Sequence, residues 1–158
     1  MSLRLDLPPA VLPFVFVAHL VATLGMTGVI WFVQVVHYPL FAGVGAERWA
    51  AYAAAHGRRT TWVVAGPMLV ELGTALVLVW RRPAFLPAGA AWIGLGLVVG
   101  VWASTSGLQV PRHTELGRGW DARAHRRLVR GNWVRTALWT ARAGLLAAVV
   151  ARALAGLG

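Results

Sequence analysis

The sequence predicts an all-α integral membrane protein, a four-helix bundle, on three observations. Apolar residues make up 58% of the 158 and charged residues 13%, about half the ~25% share of soluble domains. Four separate apolar runs each reach the ~20 residues that a hydrocarbon core demands. The arginines gather in two of the connecting segments, as flanking charge does in membrane proteins. Mean hydropathy is +0.65. A soluble domain this short buries too little surface to hide so much apolar material, whereas a lipid-facing bundle has no need to.

In chain order, MSLRLDLPPA at the start has no cleavage pattern, so the run after it reads as a retained helix. The first span covers about 11–36, with Pro39 beyond its end. The second covers about 61–80 and is stopped by Arg81, Arg82 and Pro83. The third covers about 85–110, followed by Pro111, and the fourth about 133–151. Segments 37–60 and 112–132 read as long loops and 81–84 as a tight turn. Within the long loops, AERWAAYAAAH (46–56) and WDARAHRRLVR (120–130) have helical spacing. They are expected as short interfacial helices or as extensions of the second and fourth spans. Tryptophans near span ends fit an aromatic belt.

Ten arginines flank or occupy the long loops: Arg48, Arg58, Arg59, Arg112, Arg118, Arg123, Arg126, Arg127, Arg130 and Arg135. Only Arg4, Arg81, Arg82 and Arg152 lie on the other side. That asymmetry orients the long loops to the cytoplasm of a bacterial plasma membrane, with both termini outside. The net charge of +10 is therefore assigned to topology and anionic lipid, not to nucleic acid. There is no cysteine and no lysine. Disulfides, thiolate zinc and Cys-ligated iron–sulfur clusters are excluded, and every basic side chain is a planar donor fork suited to phosphate or carboxylate.

The chain, one domain over 1–158, reads as two tandem two-helix repeats, about 10–81 and 82–152. An offset of 71 aligns Trp31 with Trp102, Trp49 with Trp120, Trp62 with Trp133, and Arg59 with Arg130. Two spans per repeat preserve orientation, which gives parallel halves with any shared site between them. The same offset aligns Glu71 with Arg142, both mid-span. A charge at that depth faces the bundle interior. Two roles are open for the pair, a buried structural ion pair or a functional site for an ionic headgroup or a catalytic proton step, and the two overlap.

His37, His56, His113 and His125 fall on the long-loop side. His19 stands ~27 Å from His37 along one helix and is left out. The first spans of both halves end with Gln, Pro and His close together: Gln34, His37 and Pro39, then Gln109, Pro111 and His113. Imidazoles from several helices bind iron, copper or zinc, and a pair of them can be the axial ligands of haem b with arginines on its propionates. No HxxxH or ExxH motif is present, and interfacial histidines also serve as solvated or headgroup-binding residues. Arg58, Arg59, Arg126, Arg130 and Asn132 are candidate binders of an anionic cofactor or substrate, beside their simpler role in topology and lipid-phosphate contact.

HYPLF (37–41), HGRRTTW (56–62), Glu71, HRRLVRGNW (125–133) and RTALWTAR (135–142) resemble a group of uncharacterised bacterial four-helix membrane proteins over most of the chain. That resemblance brings no activity. A likeness in size and topology alone connects the chain to small membrane oxygenases of the anthrone-oxygenase type and to small haem-binding four-helix proteins, which leans the expectation toward redox chemistry. The functional expectation is a metal- or haem-dependent oxidoreductase acting on a lipophilic substrate at a His-rich site. The alternatives are a small oligomeric transporter or channel for an anionic or protonatable solute, and a non-catalytic subunit of a membrane complex.

Overall fold

The computed structural model describes residues 8–156; Arg4 lies outside them. Among the described residues all regular structure is helical. Four long helices, α1 (Pro9–Gly43), α2 (Ala46–Trp80), α3 (Ala88–Gly117) and α4 (Ala122–Ala155), are each long and apolar enough to cross a membrane. Only 22–28% of each apolar window is buried within the fold. Phe14, Leu69, Trp80, Ile93 and Val99 lie exposed on the sides of the bundle. Such a surface suits lipid and not water.

The helices run well past the apolar stretches at one end. Segments 37–60 and 112–132 are not loops with separate interfacial helices; of the two expectations, the structure has 46–56 and most of 120–130 as extensions of the second and fourth spans. Nearly all of both belongs to the long helices, and only 44–45 and 118–121 connect them. The physical reasons are local. Segment 46–56 is dense in alanine, the strongest helix former. Gly45, at φ 82°, reverses the chain just before α2 in a conformation that glycine adopts without strain. Asp121 caps α4 by accepting the Ala124 N–H at 2.6 Å. That bond holds the exposed Asp121 carboxyl below its ordinary range.

Pro39 and Pro111, expected as stops, do not end their helices. Each follows a π-helical turn, Val33–His37 in α1 and Thr105–Gln109 in α3. Proline lacks an N–H, and its ring clashes with the carbonyl four residues back, here Val35 and Gly107. Widening the turn by one residue relieves the clash and keeps the rod continuous.

α1 packs against α2 and α4, and α3 packs against the same two. The bundle is thus a square with α2 diagonally across from α4. We call the end with segments 44–45 and 118–121 the loop end, and the end with 81–87 the turn end. Apolar layers fill the turn end (Phe16, Leu78, Leu146), the middle (Met26, Ile30, Val101) and the loop end (Phe41, Leu116, Leu128). The tryptophans do not form a single belt. Trp62, Trp80 and Trp92 are exposed, but Trp49 and Trp139 are fully buried, Trp49 donating to the Leu116 carbonyl at 2.6 Å.

Candidate functional site

Two polar layers interrupt the apolar core. The first crosses the diagonal of the square. Glu71 on α2 and Arg142 on α4 are each 1% exposed. Arg142 Nε and Nη2 reach Glu71 Oε1 at 3.0 and 2.9 Å, so the expected contact is present. Trp139 Nε1 donates to Glu71 Oε2 at 3.1 Å. Arg142 Nη1 donates to the Gly94 carbonyl of α3 at 2.6 Å, and Nη2 to Thr23 Oγ1 of α1 at 3.2 Å. Nη2 also stands 3.4 Å from His19 Nε2, while His19 Nδ1 lies 2.8 Å from Thr74 Oγ1. The Thr74 hydroxyl spends its hydrogen on the Val70 carbonyl. His19 Nδ1 is then the donor and Nε2 the acceptor for Arg142. One guanidinium ties all four helices, and nearly every polar atom around it has a partner.

The second layer lies at the loop end, beside a cavity of about 490 Å³, within the range of small-molecule sites. The cavity exists because α2 presents small side chains there, Ala50, Ala53, Ala54, Gly57 and Thr60, opposite Met26, Ile30 and Val33 of α1. Its polar end is built by Tyr38, Gln109, His113, His56 and Arg135. Tyr38 Oη and His113 Nε2 are hydrogen-bonded at 2.8 Å, and Arg135 lies against the Tyr38 hydroxyl. Gln109 is 1% and Arg135 8% exposed. Both amide atoms of Gln109 and the Nε of Arg135 have no partner, nor do Arg112 Nη1 and Asn132 Oδ1 nearby. The Arg135 guanidinium also sits 5.2 Å from the Trp139 ring centre, which joins this layer to the first. A more open groove of about 560 Å³ lies on the flank between α1 and α2, and His56 and Thr60 line both spaces.

Three of the four candidate metal histidines meet. His37 Nε2 and His56 Nδ1 are 3.0 Å apart, and the His56 and His113 rings are centred 5.7 Å apart. His125 faces elsewhere, its Nε2 on the Tyr38 carbonyl at 2.8 Å and its ring against Trp120. Among the described residues no three His, Asp or Glu side chains form a group that could hold a metal ion. The ring nitrogens are directed at one another, at Tyr38 and at backbone, not at a common point. The metal set expected from sequence does not fit these positions. The exposed Arg58, Arg59, Arg126 and Arg130 stand outside the cavity wall. Asn132 is fully buried, donating to Gln34 Oε1 at 2.9 Å, while Gln34 Nε2 donates to the Val129 carbonyl.

Sequence reasoning missed His19 and Tyr38 as site residues; Arg135 stood in the polar run 126–135 read as a candidate anion site, and glutamine was expected only as a ligand completing a metal shell. His19 and Glu71 each stand about ten residues from the turn end of their helices, ~15 Å at the rise of an α-helix. Counting depth from that end pairs them. The chain matches no protein family model, no curated protein and no solved structure.

Proposed function

We propose that this chain is a multi-pass membrane protein that binds an amphipathic organic anion in the loop-end cavity. The apolar tail lies among Met26, Ile30, Val33 and Val64, and the head lies on Gln109 and Arg135. One observation carries the reading: buried hydrogen-bonding groups without partners at the polar end of an otherwise apolar cavity. Each such group costs about 1–3 kcal/mol when nothing fills it, and a charged one costs more. A ligand oxyanion supplies the missing acceptor. The head is an anion because Arg135 forms no ion pair among the described residues, Glu71 being taken by Arg142 and Glu115 by Arg127.

The test uses the full chain in uncharged detergent with dodecanoate and dodecyltrimethylammonium as probes, followed by tryptophan fluorescence. Dodecanoate should bind and the cation should not, and Arg135→Gln should weaken dodecanoate at least tenfold. Equal binding of both probes, or indifference to Arg135→Gln in folded protein, overturns the reading.

The arginine asymmetry supports placing the loop end in the cytoplasm of a bacterial plasma membrane. The two matched π turns, each followed by proline, support an origin by duplication. A second reading, a metal- or haem-dependent oxidoreductase acting on the same ligand, has one observation in its favour: His56 and His113 line the cavity and His37 is bonded to His56. It requires those rings to turn from their present partners. Stoichiometric iron, copper or zinc, or a Soret band, in purified protein would establish it. Colourless, metal-free protein that binds the anion removes it. The tightly filled Glu71–Arg142 layer favours binding from one end over passage through a single chain, so a transporter would need a path between copies.

A further inference from the structure

We propose that the head group held in the loop-end cavity is a phosphate monoester, gripped between Arg135 and a second guanidinium, Arg112. This rests on the cavity being an amphiphile site. Arg112 leaves α3 one turn above Gln109 and crosses to α4 at Gly131. A Cβ on Gly131 would overlap the Arg112 guanidinium and come within 3.3 Å of Gln109 Nε2. Glycine at this position is the notch that lets both side chains lie against α4. Gly131 and Arg135 are one turn apart on the same face of α4, with Cβ positions ~5–6 Å apart.

Three buried donors therefore follow one helix face, Arg112 Nη1, Gln109 Nε2 and Arg135 Nε, and none has an acceptor. Neither arginine forms an ion pair among the described residues. A carboxylate brings one negative charge and two oxygens to this row. A phosphate monoester brings about −1.5 to −2 at pH 7 and three acceptor oxygens, which matches two fixed positive charges and three donors. Guanidinium forks also suit phosphate geometry. The apolar cavity beyond Arg135 takes the ester's alkyl chain, so the class of ligand is a long-chain alkyl or isoprenoid-like phosphate, not free phosphate.

The experiment compares dodecyl phosphate, dodecanoate and inorganic phosphate by calorimetry on the full chain in uncharged detergent. Dodecyl phosphate should bind at least tenfold tighter than dodecanoate. Arg112→Gln should erase that preference while leaving dodecanoate binding in place; Gly131→Ala, which displaces Arg112 and also crowds Gln109 Nε2, should erase the preference as well. Should Arg112→Gln fail to fold, Arg112→Lys keeps a charge without the planar fork and should cut the preference several-fold. Equal affinity for the two amphiphiles, or a preference that survives these substitutions, overturns the phosphate assignment and leaves the amphiphile reading standing. Inorganic phosphate competing at concentrations similar to dodecyl phosphate overturns it in favour of a free-phosphate site. Failure of both amphiphiles to bind removes the underlying reading as well.

Discussion

Replacing Glu71 by Gln strips the counter-charge from a guanidinium that is 1% exposed. Two charge-assisted contacts are affected, from Arg142 Nε and Nη2 to Oε1, while the Gly94 carbonyl, Thr23 and His19 remain as partners. At about 1.5–3 kcal/mol per hydrogen bond to a charged group, the loss is about 3–6 kcal/mol. That overlaps the ~3–5 kcal/mol typical of breaking one side of a buried pair. Glutamine still offers one carbonyl acceptor, so we expect the lower end, about 3 kcal/mol. Arg142→Gln should cost more, about 5 kcal/mol. It orphans the Glu71 carboxylate except for the Trp139 N–H and removes the tie to α1 and α3. With both substitutions no buried charge is left uncompensated. The double variant should then recover about 2–3 kcal/mol relative to the sum, near the top of measured coupling energies. The assay is unfolding in mixed micelles of rising SDS fraction, followed by tryptophan fluorescence. Losses that add to within about 0.5 kcal/mol would refute the idea that this pair is one energetic unit.

Other substitutions separate stability from binding. Gln109→Leu removes two unpartnered buried atoms, so folded stability should rise by about 1–3 kcal/mol while anion binding is lost in the fluorescence titration. Gly57→Leu, at a cavity-lining helix position with open space at its Cβ, should gain about 0.5–1 kcal/mol in helix propensity and exclude dodecanoate. Trp139→Phe keeps an aromatic ring beneath Arg135 but deletes the N–H on Glu71. It should cost about 1.5–3 kcal/mol in the SDS assay with dodecanoate affinity within a few-fold of wild type. For orientation, single cysteines at Arg118 and Arg82 in this cysteine-free chain should react oppositely with a membrane-impermeant maleimide on whole cells. Arg82→Cys should be labelled and Arg118→Cys protected; the reverse pattern would invert the proposed topology.

The four helices were legible because an apolar run of ~20 residues has few other uses. Their ends were legible only in part, since extension of the second and fourth spans was one of two readings left open. Hydropathy reports which residues suit lipid, and α2 and α4 begin with polar, alanine- and arginine-rich turns that hydropathy counts as loop. Pro39 and Pro111 misled for a related reason. A proline signals a broken hydrogen bond, and a π turn absorbs that break without ending the rod. Glu71 and Arg142 could be paired from sequence, since two opposite charges at one depth have few other remedies. The loop-end site resisted. Its histidines were visible as a one-sided set, but ring direction depends on side-chain torsions. Arg135 was indistinguishable in sequence from the exposed arginines around it. The unpartnered state of Gln109 is a property of its neighbours, and no motif encodes it.

The four-helix tie has a consequence for how the protein is made. Arg142 belongs to the last helix, so a chain synthesised and inserted from its N-terminus holds His19, Thr23, Glu71 and the Gly94 carbonyl before their common donor exists. If the chain inserts as proposed, the three-helix intermediate would carry a bare carboxylate among apolar neighbours during that interval, a costly state inside a bilayer. It should be short-lived, resolved either by arrival of the fourth helix or by proteolysis. A chain truncated between α2 and Arg142 never leaves it. The tie thereby separates any chain that reaches Arg142 from fragments that end between Glu71 and Arg142.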